Sequence, residues 1–146
     1  MTEAHFRKLE KMYLKAAPIN RVHFPSTQLS IQKATATVSL EVHPDYFHAL
    51  GAMHGSVYFK LLDDAAFFAV NSLVEDVFVL TTNFNTHLVR PVSKGLIKAV
   101  GTVKFRSQNL WIAEAHLSDE KGIEIGFGTG HFARSKVALT PSIGYC

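Results

Sequence analysis

Residues 51–73 read GAMHGSVYFKLLDDAAFFAVNSL. From Val57 onward the residues are apolar except for Lys60, Asp63, Asp64, Asn71 and Ser72, and no Gly or Pro follows until well past Leu73. Length and good helix formers predict a helix here rather than a strand. Ser56 is placed to cap its first turn, and Gly55 permits an unusual entry angle. Apolar residues at 57, 61, 65 and 68 and at 59, 62, 66 and 70 cover nearly the whole circumference. The helix is therefore expected in the interior.

A carboxylate in such a helix needs a reason. Left ionised and unpaired in an apolar interior it costs several kcal/mol, so it must be paired, reached by a cleft, or put to use. Asp63 and Asp64 are adjacent and point about 100° apart, so at most one faces a given cleft. An arbitrary helical Asp more often bonds a nearby backbone N–H or emerges at a solvated gap. The residues around this pair decide between those readings.

The chain of 146 residues fits one domain with a real core. A formal charge of +3 and a pI near 9.1, with Lys and Arg spread along the chain, suit a small anionic ligand. No nucleic-acid recognition motif is present, and no nucleic-acid partner is expected. The single cysteine, Cys146, excludes an internal disulfide framework and fits a reducing compartment. The mixed-charge N-terminus lacks the apolar core of a signal peptide, and no segment has the roughly 18 apolar residues of a membrane span. The expectation is a cytoplasmic protein without a membrane partner.

Outward from the helix, residues 2–17 carry Phe6, Leu9, Tyr13 and Leu14 near helical spacing and end at Pro18, which predicts an amphipathic helix braced across the body. Residues 34–42 alternate apolar and polar as a half-buried strand does. Four more strands are expected, over residues 79–89, 96–107, 110–118 and 123–134. In the first of them Leu80, Thr82, Phe84, Thr86 and Leu88 are expected to share a face. In the last, Gly126, Gly128 and Gly130 let a backbone or the helix lie flat. Residues 137–146 are an extension that orders only by docking. This order predicts an α+β single domain over 1–146, a buried helix wrapped by one curved antiparallel sheet of five to six strands.

The pattern resembles the hotdog-fold thioesterases of the phenylacetic-acid-degradation (PaaI-like) type. The likeness spans residues 34–135. His54, Gly55 and Ser56 stand where that family shows His-Gly-Gly. Leu61, Leu62, Asp63 and Ala65 match its Leu-x-Asp-x-Ala, with the Asp nine positions after the His, and Asn85, Arg90 and Pro91 match a strand ending in Arg-Pro. The resemblance implies an acyl-CoA thioesterase in which Asp63 is the catalytic carboxylate and the Gly55 N–H meets the thioester oxygen. It puts Thr81 where relatives hold water or the carboxylate with Ser or Thr. Ser56 departs from the second Gly, and His48 stands where some relatives carry an Asn that orients substrate or water.

The chemistry of the residues agrees. Thioester hydrolysis needs a carboxylate that attacks or takes a proton from water, and donors for the oxygen that becomes negative. A helix start supplies such donors, worth about 3 kcal/mol each. His54 either orients that entrance or donates through its ring. Asp63 lies eight residues past Gly55, about 12 Å along the axis at 1.5 Å per residue, too far for both to reach one carbonyl. An antiparallel second copy closes that gap, so the mechanism requires a homodimer, or a dimer of dimers, with composite sites.

Asp64 is assigned to structure as the partner of a Lys or Arg. The histidines show no HExxH or His-x-His spacing, so neither a metal nor a cofactor is expected. Phe67 and Phe68 can shape an acyl pocket. Arg90, Arg134 and Lys136 sit at strand ends where cations could meet the phosphates of CoA. Two other readings stand beside hydrolysis: a non-catalytic acyl-CoA-binding module, and a hotdog hydratase or dehydratase.

Overall fold

The computed structural model describes residues 2–146. In chain order the main elements are α1 (Glu3–Lys11), β1 (Gln28–Gln32), β2 (Thr35–Glu41), α2 (Gly55–Asn71), β3 (Val77–Leu88), β4 (Leu96–Arg106), β5 (Trp111–Ser118) and β6 (Glu124–Ala138). The strands form one antiparallel sheet in the order β1-β2-β4-β5-β6-β3, and α2 packs against all six. No helix among the described residues is long and apolar enough to cross a membrane.

The helix is as buried as its composition requires, with Leu61, Leu62, Ala65, Ala66, Ala69 and Val70 all at 0% exposure. Its small residues let it lie directly on the sheet. A Cβ on Gly101 of β4 would stand 2.2 Å from the Ala65 carbonyl oxygen, so backbone meets backbone at that point. The close approach expected on β6 is partly of backbone too, a Cβ on Gly128 standing 2.5 Å from the Asn85 carbonyl oxygen of β3. Gly126 makes room for the Tyr58 and Leu62 side chains, and Gly128 and Gly130 make room for the Phe84 ring.

Three expectations are corrected. Residues 28–32 form an extra strand, β1, because the chain turns back at Lys33–Ala34, where Ala34 adopts φ 64 without a glycine to signal it. The N-terminal helix runs to Ala16 much as expected, but it is α-helical only to Lys11. Met12–Ala16 is a wider, π-type turn closed by Ala17 N–H to the Met12 carbonyl at 3.1 Å, and after Pro18 a second such turn covers Ile19–His23. In β3 the expected face does not persist. A bulge between Thr81 and Asn83 shifts the alternation, so Val79 and Thr81 are covered before it and Phe84 and Thr86 after it, while Leu80 is left 49% exposed.

Both termini dock on the end of α2. The His5 ring donates to the Asn71 carbonyl at 2.9 Å and accepts from the Tyr145 hydroxyl at 2.8 Å. Asn71 itself bonds the carbonyls of Val74 and Val77 and the N–H of Val79, tying the helix end to β3.

Candidate active site

At the entrance of α2 the cap is His54, not Ser56. The His54 Nδ1 accepts from the Ser56 N–H at 3.0 Å and the Ser56 hydroxyl lies 2.8 Å from it, so the ring ties the first turn to itself. Gly55 becomes the first helical residue, and its N–H has no intrahelical acceptor. The preceding loop is held by Met53 N–H to Val92 and His54 N–H to Tyr46. Gly55 opens on a cavity of about 340 Å³ whose walls include His48, Tyr58, Leu88 and Arg90. A Cβ on Gly55 would press the Leu88 side chain at 2.9 Å. The Arg90 carbonyl accepts from Tyr58 at 2.7 Å, and its guanidinium donates to the Glu124 carbonyl. His48 is exposed, with Nδ1 accepting from the Leu50 N–H.

Two turns along α2, Asp63 is half-buried and Thr81 donates to its Oδ1 at 2.8 Å. Burial lifts this carboxyl from its ordinary value to about 6. The Thr81 hydrogen bond and the Lys60 charge oppose that rise, and the Asp64 charge adds to it. Asp63 faces a cavity of about 420 Å³ bounded by Phe59 and Lys60 of α2 and by Tyr13, Ala17, Asn20 and Phe24 of the N-terminal segment.

Asp64 has a different setting. The Lys60 ammonium lies 2.9 Å from its Oδ2, and the Tyr13 hydroxyl donates to the same oxygen. Burial pushes the Asp64 carboxyl up against these two partners, and it raises the Tyr13 hydroxyl as well. The pairing expected for Asp64 is thus with Lys60. Lys60, Tyr13 and Asn20 are site residues that the sequence reading missed; the spacing of four between Lys60 and Asp64 in an apolar helix was the available signal.

The structure brings Gly55, His48 and Arg90 together around one cavity, and it puts Asp63 at another with Thr81 hydrogen-bonded to it. It does not bring the two groups together within one copy. Arg134 lies at the other end of β6 from Arg90's neighbours, where its guanidinium holds Asp76 and keeps that carboxyl below its ordinary range. Lys136 is exposed two residues further along β6.

Comparison with known proteins gives the family and the fold. The model of the Thioesterase superfamily matches residues 50–125, just over half of the chain, and the protein belongs to that superfamily. Rv1847 of Mycobacterium tuberculosis, provisionally named an esterase, is 32% identical over 83 residues, which are 53% of this chain and 59% of that protein. The chain thus spans about three fifths of the length of the curated relatives it matches. The Escherichia coli PaaI protein from the phenylacetic acid degradation operon superposes with a TM-score of 0.81 at 16% identity, covering 94% of this chain and 97% of that one. The Haemophilus influenzae thioesterase HI1161 superposes with 0.74 at 15% identity, over 84% and 85%. These likenesses show the hotdog fold, with its helix wrapped by one curved antiparallel sheet and an added N-terminal helix.

Proposed function

We propose that this protein hydrolyses an acyl-CoA thioester to a free acid and CoA at a site shared by two copies of the chain. The observation that carries this reading is Asp63, a carboxylate inside an apolar helix with one side-chain donor, Thr81, and an open cavity beside it. With its carboxyl raised to about 6 it is ionised at neutral pH and still basic enough to accept a proton. Water held by Asp63 adds to the thioester carbonyl and gives its proton to the carboxylate. The carbonyl oxygen gains the negative charge, which the Gly55 N–H and the positive end of α2 stabilise. When the C–S bond breaks, the thiolate takes the proton from Asp63. Direct attack by Asp63, through a mixed anhydride that water then cleaves, needs the same two groups.

One copy separates those groups by about 12 Å of helix. An antiparallel partner supplies Gly55, His48 and Arg90 opposite Asp63 and Thr81, with His54 holding the entrance in shape. Supporting this, β3 is the last strand of the sheet and has a free edge, and Phe59, Leu88 and Val89 are exposed beside it. In that pairing Arg90 of one copy and Arg134 and Lys136 of the other flank one site mouth, where the phosphates of CoA would lie. A thiol-release screen over short, long and aryl acyl-CoAs, run on wild type and Asp63→Asn, tests the chemistry. The variant should remain a dimer and lose most turnover, and unchanged turnover would refute the role of Asp63. Light scattering that finds an active monomer overturns the composite site.

A further inference from the structure

Lys60 is spent within the protein. An ammonium has three protons to donate, and here they meet Asp64 Oδ2 at 2.9 Å, Asn20 Oδ1 at 2.7 Å and the Tyr13 hydroxyl at 3.0 Å. The ammonium also lies 4.8 Å from the Phe24 ring centre and 5.2 Å from that of Tyr13. Asn20, 2% exposed, closes the loop by donating to the Tyr13 carbonyl at 2.9 Å. Such a group has nothing left for a substrate phosphate or carbonyl. Its effect is to clasp the two N-terminal turns, through Tyr13 and Asn20, onto the face of α2 next to Asp63.

What the clasp holds in place is a wall. Tyr13 and Ala17 border the Asp63 cavity on one side and, on the other, a second cavity of about 420 Å³ with Phe68, Phe78, Leu80 and Val137 around it. The Tyr13 ring stands edge-on to Phe68 at 4.8 Å, filling the gap between the two spaces. The second cavity is almost wholly apolar, and Phe68, five residues past Asp63, is the α2 residue in its wall.

We propose that Tyr13 and Ala17 form a partition that limits the length of the acyl chain, and that Lys60 and Asn20 keep it shut. This rests on the reading of Asp63 as the hydrolytic carboxylate. A chain whose carbonyl sits at Asp63 runs to the partition and stops; removing the Tyr13 ring joins the two cavities and lets it continue.

The test uses S-alkyl-CoA thioethers from butyl to hexadecyl, which bind without being hydrolysed, with affinities from calorimetry. Each newly buried methylene is worth roughly fourfold in affinity. Wild type should gain affinity along the series and level off before dodecyl, and Tyr13→Ala should keep gaining, ending at least about tenfold tighter than wild type for dodecyl. Lys60→Met, which leaves the ring in place but opens the clasp, should move the plateau to longer chains and expose residues 12–24 to protease. It serves as the second variant if a melt shows Tyr13→Ala unfolded. A wild-type series that rises unbroken to hexadecyl overturns the partition, as does an identical plateau in wild type and both variants. A plateau without thiol release from any acyl-CoA sinks the hydrolytic reading and leaves the partition standing. Thiol release with an unbroken series does the reverse.

Discussion

The two sides of α2 at its midpoint carry the same chemical group in opposite circumstances. Towards β3, Asp63 has Thr81 as its one hydrogen-bond donor among the described residues, and it also borders the cavity under the N-terminal turns, which Asp64 lines as well. Towards the N-terminal turns, Asp64 is closed in by Lys60 and Tyr13, and those partners are themselves tied to Asn20. A buried carboxylate with its partners complete holds structure together, whereas one left short of partners is available for chemistry. The shortfall has a cost. A carboxyl held at about 6 against an ordinary 3.8 disfavours the folded state at neutral pH by up to roughly 3 kcal/mol.

The largest effect should separate the two acids. Asp63→Asn is expected to lower kcat for thioester cleavage about a thousandfold, and Asp64→Asn by less than about tenfold. Equal losses in a thiol-release assay would erase the distinction.

Next comes the support beneath both sides. Gly101→Ala drives a methyl into the α2 backbone at Ala65 and should cost about 2–3 kcal/mol in denaturant unfolding. A cost near zero would mean that the helix does not rest on β4.

The same acid also predicts a gain. Below about pH 4 Asp63 is protonated in folded and unfolded chains alike, and it has no effect on stability. As pH rises towards 6 the unfolded chain ionises first and stability falls, and above 6 the penalty is complete. Asp63→Asn should therefore be more stable than wild type at pH 7 by up to roughly 3 kcal/mol, with the difference vanishing below about pH 4. Denaturant midpoints across that range read it directly, and a variant destabilised at pH 7 would contradict the assigned cause.

The smallest effects tune the acid limb of kcat/KM, which should rise with pH near 6 as Asp63 ionises. Thr81→Val and Lys60→Met each remove something that favours the ionised form, so the limb should move to higher pH. Asp64→Asn removes a neighbouring negative charge and should move it to lower pH. Shifts of one sign in all three variants would show that the limb belongs to another group.

Much of this was readable before any coordinates. The run from Val57 to Asn71 is apolar on every side, and the strands after Asp76 follow a period of two, so the helix, its burial and four strands were legible. Asp63 and Asp64 stood out together because charge in such a setting demands a cause, and the resemblance to the hotdog thioesterases pointed to Asp63. Hydroxyls usually cap helices, which points to Ser56, and only the loop's actual path lets the His54 ring reach the Ser56 N–H first. The strand β1 was missed because a hairpin turned by Ala34 in a left-handed conformation carries no glycine signal. The bulge in β3 has no sequence mark either, and it is what puts Phe84 on the same side as Thr81.

By itself, then, the order of residues determined that an apolar helix bearing two acids would be buried under an antiparallel sheet, because side-chain period and burial energy are local properties of the chain. Asp64 was expected to be the paired acid, but which residues would close it off was decided only in three dimensions. Lys60 is one turn from Asp64 and could be anticipated, but Tyr13 and Asn20 arrive from some forty to fifty residues away in sequence. Thr81 reaches Asp63 from β3, 18 residues further along the chain. Contacts between distant segments depend on how whole elements pack, and no period in the sequence encodes them.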